Sequence, residues 1–485
     1  MLQNIMDLFE GLTQDDIDWA LDNSEKVILS DGDVLIKEGE QLNDLYFVLM
    51  GSLNVQRSPL PNVTIEAIGI GKIIGELELS LQPNQTAAAT VIASDYCELL
   101  KISFEKLLEK CEKDPIFAHK LCEGLLKLLA KRLRNANSVF TDAAKDILEQ
   151  NLSLLPVWKN IRSCIQEIKD LAAQIEQHLL DNKPISNSTE AEQFIILFVK
   201  LANLLDQKIG HSSSVDNQNK DKIGYMVEKE LLPYILLSKT MKQAYTKPNG
   251  YAGDFKTING IANRENSQRK DIGQLIDEGF YDLPPAKSVR NRRQLIANEI
   301  INLIDKNEGE GLKVTVLSAG PALEIFDVFD QIKDPKQLTV TLIDSDTRAL
   351  AHVQDKRDEL GLKSRIRLVS ESPVLLALGR SKVDVKNQHL VYSMGLTDYF
   401  RDRSFHHLLN FCYDILTPGG KVIIGNYHTE TATQTFLKYV LKWDLIYRTE
   451  DDFNRLCSKS KFAKPCDRIV FDNEGIDMFG ECTKD

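Results

Sequence analysis

The sequence predicts a multidomain α/β protein built from a small N-terminal β-roll with flanking helices, a helical middle region and a C-terminal doubly wound sheet. Three patterns indicate this architecture. Short strand-like runs separated by turns fill residues 26–102. Helical periodicity dominates roughly residues 140–300, and strands and helices alternate from Lys313 onward. The predicted domains are 1–138, 139–295 and 296–485.

The composition is that of an ordinary folded protein. The 485 residues are 43% hydrophobic and 27% charged, which is enough apolar surface for several cores. The formal net charge is −12 and basic residues form no long cluster, so we do not expect a nucleic-acid partner. The first residues lack a basic segment before an apolar one, and no apolar run approaches the roughly 18 residues of a membrane span. We expect a cytoplasmic protein without a membrane span.

The cysteines and histidines show no familiar metal or disulfide pattern. No Cys-x-x-Cys pair and no His-Glu-x-x-His occurs. We therefore expect buried or free thiols and no metal site. The eight cysteines lie at positions 97, 111, 122, 164, 412, 457, 466 and 482.

The first predicted domain consists of short strands followed by helices. Its strand-like runs are KVIL, DVLIK, LYFVLMG, SLNVQR, TIEAIG, TAAATVIA and CELLKI, and their length and spacing favour a small sandwich or barrel. Ser103 is the predicted N-cap of the helix that follows. A leucine-rich helix over 121–133 comes next, and we consider it a surface for homodimer formation.

The C-terminal part alternates between strands and helices. The runs VTVLS, LTVTLID, SRIRLVS, HLVYSMG and KVIIGNYH are each followed by a helical pattern. Such alternation predicts a parallel sheet with helices on both faces. In a sheet of this kind, ligands bind at the carboxyl ends of the strands.

The residues at the ends of the first two strands predict the class of ligand. The turn Ser318–Pro321 contains only Gly320, whereas a dinucleotide pyrophosphate requires Gly-x-Gly-x-x-Gly. The second strand ends at Asp344, whose carboxylate can accept both hydroxyls of a ribose. One glycine turn and one acid indicate a nucleoside ligand without a pyrophosphate. The alternative is ordinary turn chemistry at both positions.

These segments resemble a known superfamily. SAGPALE, TLIDSD, YSMGLTDYF and LTPGGKVIIGNYH together resemble a class I S-adenosylmethionine (SAM)-dependent methyltransferase. KPNGYAGD, SVRNRR, GLTDYF and WDLIYR more narrowly resemble bacterial extracellular factor (3-hydroxypalmitic acid methyl ester) biosynthesis proteins, over roughly residues 140–480. The resemblance implies a Rossmann-like methyltransferase domain, SAM as cofactor, and methyl-ester formation on a small 3-hydroxy fatty acid. It also implies a role in making a quorum-sensing signal.

The resemblance also implies roles for residues of the sheet. It places Ser318 and Gly320 under the methionine part of SAM and Asp344 on the ribose. It places Glu371, or Ser370, near the adenine; Glu371 is otherwise a solvated acid at a helix start. It places Ser393 to Gly395 beside the reacting centre.

A fatty carboxylate acceptor requires a polar clamp and an apolar channel. With a solution pKa of about 4 it arrives ionised and requires no general base, so we expect no catalytic triad. The catalytic candidates are Tyr251, His428 and Arg448, of which Arg448 could equally form a salt bridge and His428 a loop contact. Further clamp candidates are Arg290, Arg292 and Tyr447.

Residues 27–135 resemble the cyclic nucleotide-binding fold. GKIIGELEL followed by AAATV is similar to its phosphate cassette, which implies a pocket with Gly75, Glu76 and Thr90. Ala87 stands where that family has an arginine for the cyclic phosphate. Since the charged partner is missing, we expect a degenerate domain that binds a cyclic nucleotide weakly, responds to another small effector or supports oligomerisation.

Two functions follow from these observations. The first is a SAM-dependent O-methyltransferase with a regulatory N-terminal module. The alternative is a non-catalytic signalling or scaffold protein that binds SAM or a cyclic nucleotide without turnover. Acyl length, oligomeric state and the coupling between the domains are left open by the sequence.

Overall fold

The protein is described here from a computed structural model. It describes residues 12–56, 66–76, 79, 86–126, 156–180, 189–249, 251–265, 271–306 and 311–485. Among these residues, no helix combines the length and apolar character needed to cross a membrane.

The N-terminal part is a β-roll of two four-stranded antiparallel sheets, in the orders β1-β8-β3-β6 and β2-β7-β4-β5. Every predicted strand-like run contains an observed strand, and Ser103 caps the following helix by accepting from the Lys106 amide, as predicted. Only residues 121–126 of the predicted leucine-rich helix are described; 127–155 lie outside the described residues. The elements are α1 Gln14–Asp22, β1 Glu25–Leu29, β2 Val34–Ile36, β3 Asp44–Met50, β4 Ser52–Gln56, β5 Glu66–Gly69, β6 Ile73–Ile74, β7 Thr90–Ala93, β8 Cys97–Ser103, α2 Phe104–Lys113 and α3 115–126.

The middle part is helical, as predicted. Its helices pack around an apolar core that includes Trp158, Phe198 and Phe280. Helix α10 runs without interruption through the predicted boundary between residues 295 and 296. The helices are α4 Pro156–Leu180, α5 Thr189–Ile209, α6 Asn217–Ile235, α7 Lys239–Thr246, α8 Phe255–Asn263, α9 Ile272–Tyr281 and α10 Pro284–Lys306.

The C-terminal part is a seven-stranded sheet in the order β11-β10-β9-β12-β13-β15-β14. Its first five strands are parallel and follow the 3-2-1-4-5 order of doubly wound sheets. The elements are β9 Leu312–Leu317, α11 Leu323–Gln331, β10 Leu338–Asp344, α12 Thr347–Glu359, β11 Ile366–Ser370, α13 Pro373–Ala377, β12 Gln388–Ser393, α14 Asp402–Ile415, β13 Leu416–Tyr427, α15 Gln434–Val440, α16 Glu450–Lys459, β14 Arg468–Phe471 and β15 Asp477–Thr483.

The sheet is mixed, which corrects the prediction of a purely parallel one. Strand β15 pairs with β13 in the antiparallel direction, and β14 pairs with β15. Neither strand was predicted, because β14, RIVF, has only four residues and β15, DMFGECT, lacks a clear β-branched or alternating pattern. The β14–β15 hairpin thereby extends the sheet beyond β13.

The β-roll packs directly against the C-terminal sheet. One apolar core contains residues of both parts, such as Val48 and Leu99 from the roll and Leu376 and Phe405 from the other. The turns of the roll after β3, β5 and β7 share a pocket with the residues that follow β10, and Ser370 at the end of β11 contacts Met50 at the end of β3. Polar contacts across this junction join Asp95 to Arg348 at 2.8 Å, Ser372 Oγ to Leu49 O at 3.0 Å and Arg403 Nη1 to Leu12 O at 2.8 Å. Ser52 Oγ of the roll also donates to Pro248 O of the middle part at 3.3 Å.

Candidate functional site

A cavity opens at the carboxyl ends of β9, β10 and β12, where the order of the sheet reverses. We call it the switch-point cavity. Its empty volume is about 1210 Å³, which includes space open to solvent. Its apolar lining includes Ile70, Phe255, Ile258, Val289, Leu323, Leu396, Trp443 and Leu445.

The turn after β9 forms one wall of this cavity. Its backbone is left-handed at three alternate residues, Ser318, Gly320 and Ala322, with φ of 55°, 54° and 47°. A non-glycine residue adopts this conformation only at a cost, which nearby contacts must offset. The Ala319 amide donates to Ile343 O at 3.1 Å, which ties the turn to β10. The predicted residues Ser318 and Gly320 therefore both line the cavity.

Asp344 connects this turn to the end of β10. One carboxylate oxygen accepts from the Gly320 amide at 2.7 Å, and the other accepts from the Asp346 amide at 2.8 Å. The side chain is buried and lines the cavity. Burial raises the pKa of Asp344 to about 6 despite these hydrogen bonds. The structure thus brings Ser318, Gly320 and Asp344 together at one wall of the cavity.

The start of α11 also faces the cavity. Ala322 precedes the helix and supplies no side-chain cap, and in the first turn the Ile325 amide donates to Ala322 O at 3.1 Å. An anionic group is favoured at such a helix N-terminus. Glu324, in the first turn, is buried, accepts from the Tyr392 hydroxyl at 2.7 Å, and has a pKa raised by burial.

Tyr251 and Gly395 lie in the same cavity. Tyr251 is half-buried, and burial, with the charges of Asp344 and Asp346, raises its pKa well above the usual value. Its hydroxyl therefore stays protonated and able to donate a hydrogen bond. Gly395 lines the cavity beside the guanidinium of Arg292. Of the predicted catalytic residues, Tyr251 is the one placed in the cavity.

Arg292 supplies a buried positive charge to the cavity wall. Its Nη1 donates to Met394 O at 3.0 Å and lies 3.4 Å from Asp477. Burial opposes its charge, yet the carboxylates of Asp477 and Asp398 raise the pKa of Arg292. The group stays cationic and is paired, as a buried charge must be.

Further lining residues were missed as site residues in the sequence analysis. Burial raises the pKa of Asp398 to about 6, and its carboxylate accepts from the Tyr427 amide at 2.8 Å. Tyr399 accepts from the Trp443 indole at 2.9 Å, and both rings line the cavity. The signal was present, because GLTDYF and WDLIYR are two of the segments that carry the family resemblance.

The remaining predicted cofactor residues make other contacts. Glu371 accepts from the Ser372 amide at 2.8 Å and from the Ser381 hydroxyl at 2.9 Å, so it holds its own loop. Ser393 is buried and donates to Leu317 O at 2.9 Å, which joins β12 to β9. Neither lines the cavity, although the neighbouring Pro373 and Met394 do.

The other two predicted catalytic residues lie away from the cavity. His428 Nε2 is 3.1 Å from Glu450, and its ring packs against Phe471. Arg448 is buried and donates to Thr397 O and Asn426 Oδ1, at 2.9 and 2.7 Å. Its guanidinium also lies over the Phe405 ring, 4.7 Å from the centroid. The described contacts of both residues are with the protein's own side chains and backbone.

The other clamp candidates differ in position. Arg290 donates to Tyr281 O at 2.7 Å and lies outside the switch-point cavity, as does Tyr447. Arg292, by contrast, lines it. Two residues apart on α10, the arginines point in different directions around the helix.

The electrostatics of the cavity favour a cation. Asp344, Glu324 and Asp398 line it, and burial raises the pKa of each. Two arginines, Arg292 and Arg293, line it as well, and Arg292 lies beside Gly395. A positively charged ligand would lower these pKa values again and stabilise the ionised carboxylates.

The predicted nucleotide pocket of the β-roll is described in part. Gly75 has φ of 97°, and a Cβ there would lie 2.5 Å from Asp44 O, so only glycine fits. Glu76 is buried, and Thr90 Oγ1 accepts from the Glu38 amide at 3.1 Å. Ala87, in the arginine's place, is buried and its backbone pairs with Gly39 and Glu40. Residues 77, 78 and 80–85 of the loop lie outside the described residues.

Comparison with known proteins assigns this part of the chain. Residues 26–114 match the family model described as "Cyclic nucleotide-binding domain". The N-terminal part is a domain of this family. The fold predicted for it is therefore confirmed.

Two curated relatives match part of this chain, and each match also covers only part of the relative. The Cyclic AMP receptor protein of Thermus thermophilus is 30% identical over 132 residues, 27% of this chain and 58% of that protein. The human voltage-gated inwardly rectifying potassium channel KCNH6 is 38% identical over 88 residues, 18% of this chain and 9% of the channel. The match thus spans less than two thirds of either relative.

Solved structures are similar at low overall scores. The N-terminal domain of a transcriptional regulator from Streptomyces coelicolor is 28% identical and covers 28% of this chain and 92% of its own, with a TM-score of 0.24. A possible exported protein from Bordetella parapertussis is 16% identical and covers 62% of this chain and 99% of its own, with a TM-score of 0.43. The methyltransferase assignment of the C-terminal part stays a prediction.

Proposed function

We propose that the chain is a SAM-dependent O-methyltransferase that forms a methyl ester on a small fatty carboxylic acid, under the control of its N-terminal domain. The observation that carries the proposal is the switch-point cavity, whose wall is the left-handed turn at 318–322 bonded to Asp344. This is the place where doubly wound sheets bind ligands.

The residues present fit SAM. Asp344 can accept from ribose hydroxyls through the remaining lone pairs of its carboxylate. The uncapped start of α11 favours the carboxylate of an amino acid group. The buried acids Glu324 and Asp398 complement a sulfonium charge. When bound, SAM supplies a methyl group that the sulfonium has already activated.

The chain's own task is then to bind, orient and exclude water. The acceptor carboxylate arrives ionised, so no residue has to remove a proton from it. Arg292 and the protonated Tyr251 are the groups that would orient it beside Gly395. Phe255, Trp443 and the apolar walls offer a channel for the acyl chain and keep water out.

The N-terminal domain would regulate this site through direct contact. Its residue Ile70 lines the switch-point cavity together with Tyr251. A displacement of the turn after β5 therefore changes the shape of the cavity. Any small effector that the β-roll binds would act on methyl transfer in this way.

Methyl transfer tests the proposal. Full-length protein is incubated with methyl-labelled SAM and 3-hydroxy fatty acids of increasing length, and methyl esters are quantified by mass spectrometry. We expect ester formation, reduced about tenfold or more by Tyr251→Phe through loss of one hydrogen bond to a charged group. SAM uptake without a methylated product from any lipid or protein extract would instead support the non-catalytic alternative.

A further inference from the structure

Three cysteines from three different elements meet at one place in the C-terminal part. The Sγ atoms of Cys457, Cys466 and Cys482 all lie within 4.8 Å of one another. The Cys457 and Cys466 sulfurs are 3.4 Å apart. Cys457 lies in α16, Cys466 in the loop before β14 and Cys482 in β15. The cluster therefore joins three separate elements.

The surroundings of the cluster are apolar. Cys457 and Cys482 are 2% and 0% exposed, and they belong to the same core as Phe453 and Phe462. Cys466 is half-buried, so the cluster has one side nearer to solvent. Hard cations such as Mg²⁺ and Ca²⁺ require oxygen ligands, whereas thiolates select soft closed-shell cations.

The backbone is arranged to bring these sulfurs together. The Cys466 amide donates to Asn454 Oδ1 at 3.1 Å, which fixes the loop against α16. Gly480 of β15 leaves room beneath the cluster, because a Cβ there would lie 2.3 Å from Phe453 and 3.1 Å from the Cys466 sulfur. The convergence thus depends on a strand residue without a side chain.

We propose that Cys457, Cys466 and Cys482 form a binding site for a thiophilic divalent cation of the zinc class. A tetrahedral site with Zn–S bonds of about 2.3 Å places its sulfurs about 3.8 Å apart, close to the separations seen here. Three thiolates around a divalent cation leave one net negative charge, which costs less in an apolar core than the two left around Cu⁺. A fourth ligand, such as water, would complete the tetrahedron.

The site would fasten the C-terminal hairpin to the rest of the domain. β14 and β15 form the edge of the sheet, and α16 packs against β15. A metal ion bound to residues of α16, the β14 loop and β15 would hold all three together, since a bound metal adds its binding energy to folding. This role is separate from methyl transfer and independent of the proposed function.

Metal content and cobalt spectra test the site. The full-length protein is purified reduced and without chelators, and zinc and copper are measured by mass spectrometry. The metal-free protein is then titrated with Co²⁺, whose bonds to thiolates produce charge-transfer absorption. We expect about one ion per chain and a thiolate–cobalt band, with affinity reduced more than about tenfold by Cys482→Ser or Cys466→Ser. Circular dichroism checks that each variant is folded.

Cys412→Ser is the matched control, because Cys412 is fully buried in the same core but outside the cluster. It should keep the cobalt band. The proposal is overturned if folded, reduced protein shows no cobalt band, or if the band survives all the cluster substitutions. It is also overturned if a Cys457–Cys466 disulfide forms and no metal ion binds.

Discussion

Asp344 lines the switch-point cavity, and its burial makes the ionised carboxylate costly for the stability of the fold. Its carboxylate holds the turn at Gly320 and faces the switch-point cavity, where burial raises its pKa to about 6 from 3.8. The folded chain therefore keeps a proton on this group in a pH range where the unfolded chain has lost it. Its contribution to stability is present below about pH 4 and is lost as the pH rises through 6.

Asp344→Asn should reverse part of this loss. The amide cannot ionise. The melting temperature of the variant minus that of the natural protein should therefore be larger at pH 8 than at pH 5, and this increase should correspond to on the order of 1–3 kcal/mol of stability. Differential scanning fluorimetry across pH 4–9 measures it. Asp355→Asn, on the exposed side of α12, should show no such trend. A trend shared by both variants would contradict this explanation.

Ala87 is expected to limit nucleotide binding by the β-roll. A cyclic phosphate bound there would lack its charge-assisted partner. Calorimetry with cyclic AMP and cyclic GMP should therefore show no micromolar binding, and Ala87→Arg should strengthen binding by a factor of about ten or more. Ala88→Arg serves as the neighbouring control. Micromolar binding by the natural protein would show that the domain is not degenerate.

The junction of the two parts depends on the start of α12. Arg348 Nη2 is 2.8 Å from Asp95 of the β-roll, and Asp346, which caps α12, lies 3.3 Å from Asn249. Asn249 in turn donates to Asp254, the N-cap of α8, at 2.9 Å. This chain of polar contacts connects the β-roll to the KPNGYAGD segment, of which Gly250 lies outside the described residues.

Breaking the Asp95–Arg348 pair should loosen the cavity. The pair is partly exposed, so we expect Asp95→Asn or Arg348→Gln to weaken SAM binding by about 1 kcal/mol at most, or roughly fivefold. A double-mutant cycle read by calorimetry isolates the pair itself. Additive effects of the two substitutions would mean that the pair does not couple the β-roll to the site.

The elements of the sheet were predictable where the pattern was strong. VTVLS and LTVTLID are apolar, β-branched and bounded by turns, and both become parallel strands. The turn at Gly320 and the acid at Asp344 were found for the same reason, since both follow such strands directly. The β14–β15 hairpin was missed, because β14 has only four residues and β15 lacks a clear β-branched or alternating pattern.

The rest of the site depends on contacts between distant residues. Ile70 reaches the cavity from the β-roll, and no local pattern connects it to Gly320. Arg448 looked like a site residue because its segment resembles a family motif, but its guanidinium binds backbone carbonyls instead. The three-cysteine cluster was not predicted, because its spacing matches no known motif.

The β-roll and the C-terminal sheet share one apolar core, so they should unfold together. Leu376 lies in α13, which contacts β3 of the roll. Leu376→Ala should remove about 2–5 kcal/mol of stability. Because the core is shared, the loss should also reach Trp19, which packs against Phe117 in the β-roll.

Fluorescence of a variant that keeps Trp19 alone measures this effect. The three tryptophans are Trp19, Trp158 and Trp443, so the variant carries Trp158→Phe and Trp443→Phe. Leu376→Ala in this background should lower the urea midpoint reported by Trp19. Leu201→Ala, in the separate helical core, should change it much less. An unchanged midpoint with Leu376→Ala would mean that the β-roll unfolds independently.

Binding of SAM to the full-length protein, measured by isothermal titration calorimetry, is the most direct test of the site. We predict one site per chain, weakened about ten- to a hundredfold by Asp344→Asn through loss of hydrogen bonds to a charged group, and unchanged by Asp355→Asn. No heat of binding at about millimolar SAM, or equal affinity in all three proteins, would contradict the assignment of the switch-point cavity.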